Sequence, residues 1–479
     1  MIVLSRFVAV FFFSILALPA LAQEETDSTS TELTKQDAIT IGVEQILKIQ
    51  NEDGAWPYEG VYRVNRKIPT GYRIGGTAIC CEALLYATDG DNDEANQAIK
   101  RGVRLILDEL ETPAMQASQR NRYDVRVWGH IYALDLFCRL KASKRSLDAE
   151  IDKSIDSWIP KLTKILISEE IESGGWNYAN RRAHAGFVTA PAVQALMWAS
   201  QLGQDVPRFV FQRAANALAR SRNSLGAFSY SGDERKRRPT KIPSSIARST
   251  NCESTLSLLG LSRELSIKKA LADFHEHWDE LEKRRKKTGT HVAPYGIAPY
   301  YFYYAHRFAA QAISQLPKEF RAAEYKKLFA QLLKTRDEDG TWNDRVFARS
   351  RAYGTAMSVL ALLEDKVPVP QKFQDDEQEN DKDKPKTQAG IQVDLDLLDP
   401  DFTIEVFVGG KLRIAGQTVA LDGLKKWIED NLRREPSTVL ISAEGNVKTG
   451  TVEQIKSIIS SEFASIKKLY VGIKEDSNQ

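Results

Sequence analysis

Between residues 33 and 365 the chain alternates two kinds of apolar segment. The first kind carries its hydrophobic residues on one stripe at helical spacing, over residues 34–49, 151–168, 207–221 and 322–335. The second is apolar almost all round and rich in small residues, over 75–87, 187–199, 250–261 and 354–363. Two further pairs repeat the alternation, 93–110 with 127–140 and 265–287 with 298–316. A helix with one apolar stripe belongs on an outer layer, and a helix apolar on all sides is enclosed. Six of each in strict alternation predict a mainly α fold, an (α/α)6 toroid with an inner and an outer ring of helices.

The pattern changes after residue 365. Residues 366–390 hold three prolines and a run of acidic and amide residues, too polar to offset the entropy of ordering, and predict a disordered acidic linker. Over 391–475 the period shortens to that of strands. Residues 403–408 and 411–414 alternate about Gly409-Gly410, 417–419 follows a turn at Gly416, and amphipathic helices over 420–432 and 451–463 flank strands at 438–442 and 468–473. This predicts a small α+β domain of ββαβαβ order.

Composition narrows the function classes. Among 479 residues, 66 Lys and Arg face 64 Asp and Glu, so the net charge of +2 excludes a general nucleic-acid binder. Four cysteines with no CxxC pair exclude a disulfide scaffold and a zinc ribbon. Arg6, the apolar run 7–18 and Ala20-Leu21-Ala22 have the layout of a signal peptide cleaved after residue 22. The expectation is export to the periplasm or beyond, with no transmembrane segment after cleavage.

The helix pairs are punctuated by a glycine–aromatic turn. It is complete as Gln50, Asp53, Gly54 and Trp56, and nearly so as Asp339, Gly340 and Trp342, where Arg336 replaces the glutamine. Gly175-Trp176 and Gly226 with Phe228 are reduced copies. These turns resemble the QxxDGxW repeat of the terpenoid cyclase and protein prenyltransferase superfamily, squalene–hopene cyclases included. That resemblance implies the toroid and a central chamber at the inner-helix ends. It does not carry the chemistry across: the acidic DxDD motif of the cyclases is missing and no zinc triad is complete, so neither metal nor cofactor is expected. The C-terminal segment resembles the periplasmic domain of the ExbD/TolR family, through Gly409-Gly410-Lys411-Leu412, Leu421-Asp422-Gly423-Leu424 and Gly450-Thr451-Val452-Glu453. That implies docking to a cell-envelope protein or to peptidoglycan.

Polar and aromatic residues gather near the predicted inner-helix starts. Tyr72, Arg73, Trp128, His184, Arg248, Tyr300, Tyr301, Tyr304, Arg351 and Tyr353 are the candidates to line a pocket for a small molecule, lipid or glycan. His130 and Glu253 are the only candidate acid–base pair. The leading expectation is an exported, non-catalytic binding or scaffold protein with an envelope-docking module. The alternative is a toroid enzyme of the terpenoid-cyclase or glycan-acting kind. An acidic group deep in a dry apolar cavity would favour the former chemistry, paired carboxylates about 5–10 Å apart in a wet groove the latter, and neither pattern would favour binding.

Overall fold

A computed structural model describes residues 33–58, 67–116, 125–179, 182–234, 239–373, 402–407, 410–414, 417–431, 438–444, 447, 449–462 and 468–474. The expected signal segment and most of the expected linker lie outside the described residues.

The inner helices are α2 (Thr70–Ala87), α4 (Arg126–Ser143), α6 (Gly186–Gln201), α8 (Ile242–Leu258), α11 (Phe302–Ser314) and α13 (Arg351–Leu362). Each packs on the next, and α13 packs back on α2, which closes the ring. The outer layer is α1 (Lys35–Lys48), α3 (Asp93–Leu110), α5 (Ala149–Ser168), α7 (Arg208–Ser221), α9 (Glu264–Glu276) with its short continuation α10 (Trp278–Glu282), and α12 (Lys318–Lys334). The helical body is an (α/α)6 toroid. Two boundaries differ from the sequence expectation. The helix expected over 265–287 breaks at His277, and α8 begins at Ile242, well before residue 250, because Pro243 occupies its first turn.

The turns clasp neighbouring hairpins by one repeated device. Trp56, Trp176 and Trp342 are fully buried. Each indole Nε1 donates to a carbonyl ten residues earlier, at the end of the preceding outer helix: Ile46 at 2.8 Å, Leu166 at 2.8 Å and Leu332 at 2.9 Å. Each backbone N–H donates to a threonine hydroxyl on the following inner helix: Thr77 at 3.0 Å, Thr189 at 2.9 Å and Thr355 at 3.0 Å. At the reduced copy Phe228 keeps the second bond, to Ser245 at 2.6 Å, and loses the first, having no indole. Gly54 holds φ +88°, and a Cβ there would lie 2.7 Å from the Arg101 carbonyl oxygen, so glycine is required.

Residues 366–373, the start of the stretch expected as linker, pack on the helical body. Val367 and Pro370 are buried, Arg139 donates to the Pro368 carbonyl at 2.9 Å, and the Phe373 ring stacks edge-on to Phe211 at 5.0 Å. The prolines and charges of this stretch disguise three apolar anchors that strap it across the C-terminal ends of the inner helices. In the C-terminal body, β1 (Phe402–Val406), β2 (Leu412–Ile414), β3 (Gln417–Val419), β4 (Thr438–Glu444) and β5 (Lys468–Lys474) form one sheet of order β3-β2-β1-β4-β5, with β1, β4 and β5 parallel. Residues 417–419 are thus a full strand, and the order is βββαβαβ rather than ββαβαβ. Helices α14 (Leu424–Asn431) and α15 (Thr449–Glu462) cover a core built on Ile404, Ile414, Leu424, Ile441 and Ile455. Among the described residues no helix is long and apolar enough to cross a membrane.

Truncating a clasp to alanine removes buried area and leaves the helix-end carbonyl without its indole donor, while the backbone bond to the threonine hydroxyl remains. Trp56→Ala and Trp342→Ala are each expected to cost about 3–5 kcal/mol, read as a lower midpoint in chemical denaturation. Phe228→Ala, which breaks no indole bond, is expected to cost less than either.

Candidate functional site

The ring gathers the predicted aromatics at the N-terminal ends of the inner helices. Tyr58, on the segment after the first turn, lies 4.3 Å from Tyr353 and 5.5 Å from Tyr72, between ring centres. Tyr72 meets Trp128 edge-on at 5.4 Å, and Trp128 lies 4.8 Å from Tyr132. On the other side Tyr301 contacts Tyr300 at 4.5 Å, Phe187 at 5.3 Å and Tyr304 at 6.3 Å. The Tyr304 hydroxyl donates to the Phe187 carbonyl at 2.8 Å. The hydroxyls of Tyr58 and Tyr132 are buried without any hydrogen-bond partner.

The basic candidates do other work. Arg73 pairs with Asp53 at 3.0 Å and Glu109 at 2.9 Å, and Arg351 pairs with Asp339 at 3.3 Å. Arg248 donates to the carbonyls of Phe228 at 2.7 Å, Ser229 at 3.1 Å and Ser244 at 2.7 Å. All three arginines brace the turns against the inner helices instead of pointing at a ligand. His184 Nε2 meets the Ser221 hydroxyl at 2.8 Å, and that hydroxyl donates to the Ala217 carbonyl, so the serine is held as a helix hydroxyl and not activated as a nucleophile. Burial lowers the His184 pKa to about 4.

His130 and Glu253 are not a pair. His130 Nδ1 lies 3.0 Å from Glu169, which also accepts from Arg126 at 3.0 Å. Glu253 accepts from Arg222 at 2.9 Å and from the Ser262 hydroxyl at 2.5 Å. The two belong to helices α4 and α8, which α6 separates in the ring, and each is neutralised within its own hairpin.

No family model matches the chain, and no curated protein is significantly similar to it. Among solved structures it is similar to the type II terpene cyclase MstE from Scytonema in complex with geranylgeranyl dihydroxybenzoate. The two are 13% identical, with 70% of this chain and 97% of that one covered, at a TM-score of 0.45. It is also similar to an inactive variant of the α-1,6-mannanase GH76A of Salegentibacter in complex with α-1,6-mannotriose. There the identity is 12%, with 70% and 99% covered, at a TM-score of 0.45.

Two features escaped the sequence. Deep on the axis, Glu82 accepts from Arg307 at 3.0 Å and lies 3.5 Å from Arg139, which binds Asp135 at 2.7 Å. These four charges, with Gln194, Gln311 and Tyr132, line a cavity of about 20 Å³, room for roughly one water molecule. They are spread over three helices, and no local motif joins them. The second feature is Asp344, two residues beyond Trp342. It is fully buried, and neither carboxylate oxygen has a hydrogen-bond partner. Burial drives its pKa up to about 7 against the pull of Arg345 and Arg285, while Tyr58, Tyr303 and Tyr353 all feel its charge. The turn motif that precedes it was the available signal, since an inward-facing residue follows each clasped tryptophan. Among the described residues no cluster of three or more His, Cys, Asp and Glu side chains could hold a metal ion.

A raised carboxyl pKa means the folded state holds its proton more tightly than the unfolded chain. This group's contribution to stability is therefore fully present below the unfolded value of 3.8 and is lost as pH rises toward about 7. Asp344→Asn is accordingly expected to melt higher than the wild type at pH values above neutrality. The gain should shrink steadily as the buffer is made acidic, in thermal melts run across that range.

Proposed function

We propose that the chain is an exported toroid enzyme that receives an apolar, isoprenoid-type molecule at the aromatic end of its inner helices and acts on it by proton donation from Asp344. The observation that carries this reading is the buried, unpartnered Asp344 carboxyl among tyrosines. A carboxyl held neutral near pH 7 is a proton donor at physiological pH. The π faces of Tyr58, Tyr353 and Trp128 are the groups that would stabilise positive charge formed beyond it. A donor of this strength suits an epoxide or allylic oxygen better than an isolated alkene.

Glycoside hydrolysis fits less well. The carboxylates placed close together are Glu82 and Asp135, both on Arg139, and their cavity of about 20 Å³ is too small for a sugar ring. The same small axial cavity favours a second reading, a non-catalytic binder whose ligand is held at the aromatic end alone. In either case export rests on the signal-like first 22 residues. The C-terminal body is proposed to dock the toroid to an envelope protein or to peptidoglycan by strand addition, for which its sheet offers edges at β3 and β5.

The probes are 10,11-epoxyfarnesol and mannotriose. Epoxyfarnesol is expected to raise the melting temperature and to yield ring-opened or cyclised products by gas chromatography–mass spectrometry, with mannotriose doing neither. Asp344→Asn should bind the epoxide and lose turnover by 100-fold or more, the range general acids supply. Binding with no turnover in the wild type would establish the second reading, and stabilisation by mannotriose alone would refute both.

A further inference from the structure

Unpaired buried polar atoms concentrate beside Asp344. Arg345, its neighbour in the chain, is 3% exposed, and its Nε and Nη1 are buried without a partner. The Tyr58 hydroxyl, which feels both charges, is unpartnered too. Asp344 and Arg345 do not pair with each other, although they adjoin. Instead the Asp344 backbone carbonyl accepts from the Lys286 N–H at 2.9 Å, and the Arg345 backbone N–H donates to Asn343 Oδ1 at 2.9 Å. These bonds fix the backbone on both sides, while both Asp344 carboxylate oxygens and Arg345 Nε and Nη1 keep no hydrogen-bond partner and the Arg345 guanidinium lies 5.6 Å from the Phe347 ring centre. Buried guanidinium and carboxyl groups without partners are costly, and a fold keeps them where a bound molecule satisfies them.

We propose that Arg345 and Tyr58, beside Asp344, form an anchoring site for a carboxylate carried by the apolar ligand. The inference rests on the reading that the aromatic end receives such a ligand, and it supplies the polar head. The donor set argues for a carboxylate. Arg345 offers a planar fork that matches two carboxylate oxygens, and the Tyr58 hydroxyl adds one donor. The charge argues for a single negative charge. Among the described residues Arg345 has no ion-pair partner, whereas nearby Arg285 lies 3.6 Å from Glu282 and 4.0 Å from Asp337. A dianionic phosphate would outweigh the one uncommitted cation, and an ammonium would meet Arg345 as a like charge.

Isothermal titration of the full chain with farnesoic acid, farnesol, farnesyl phosphate and farnesylamine tests this. Farnesoic acid is expected to bind at least tenfold more tightly than farnesol, with the phosphate and the amine weaker than the acid. Arg345→Met is expected to erase the preference for the acid over the alcohol and, by removing an unpaired buried charge, to melt no lower than the wild type. Asp344→Asn should keep or tighten acid binding, because it removes a negative charge beside the anchor. Equal binding of acid and alcohol would overturn the anchor and leave the reading of the aromatic end standing, and so would tighter binding of the phosphate or the amine. Failure of all four to bind would overturn both. A folding defect in Arg345→Met would show the guanidinium to be structural, which also overturns the anchor.

Discussion

Everything in the toroid depends on how the turns are clasped. An indole donates to the end of the helix behind it, and the same residue's backbone donates to a hydroxyl on the helix ahead. One residue thus fixes the angle between an outer helix and the next inner helix. Because the bonds are buried, losing either leaves a polar group stranded in a dry interior. Repetition of this geometry, with α13 returning to α2, turns a row of hairpins into a closed ring. Arg73 and Arg351 reinforce it by tying the turn aspartates to the inner helices.

Closure has two consequences for chemistry. It brings aromatic residues distant in sequence to one end of the inner helices, where Tyr58 and Tyr353 touch across nearly three hundred positions of chain. It also forces the axis to be filled. The chain fills it with Glu82, Asp135, Arg139 and Arg307, a compensated set of two acids and two bases, and not with an apolar lumen. Arg139 also reaches the Pro368 carbonyl, so this axial cluster and the strap at residues 367–373 share a residue. The axis is thus sealed by matched charge, and the aromatic end retains the unmatched ones.

Much of the ring was legible in the sequence. The contrast between one-striped and all-apolar helices, and the glycine–aromatic turns between them, are local signals that survive without knowledge of contacts. The candidate site was legible only in its apolar half. Tyr72, Trp128, Tyr301 and Tyr353 stand out as aromatics at helix starts, but Arg73, Arg248 and Arg351 have the same signature and serve the turns. His130 and Glu253 looked like partners because nothing in a sequence reports that α6 lies between their helices. Asp344 and Arg345 read as one more polar loop, because burial without a partner is a property of the assembled ring. The linker was drawn too early for a related reason: three apolar anchors among charges carry no period.

The closed ring places a buried, unpartnered carboxyl, Asp344, near its aromatics, and burial raises its pKa to about 7. Infrared difference spectroscopy between wild type and Asp344→Asn tests it directly. A protonated-carboxyl carbonyl band is expected below neutrality, present in the wild type, absent in the variant, and lost on titration near pH 7. A difference spectrum showing only ionised carboxylate throughout the acidic range down to ordinary aspartate values would contradict it.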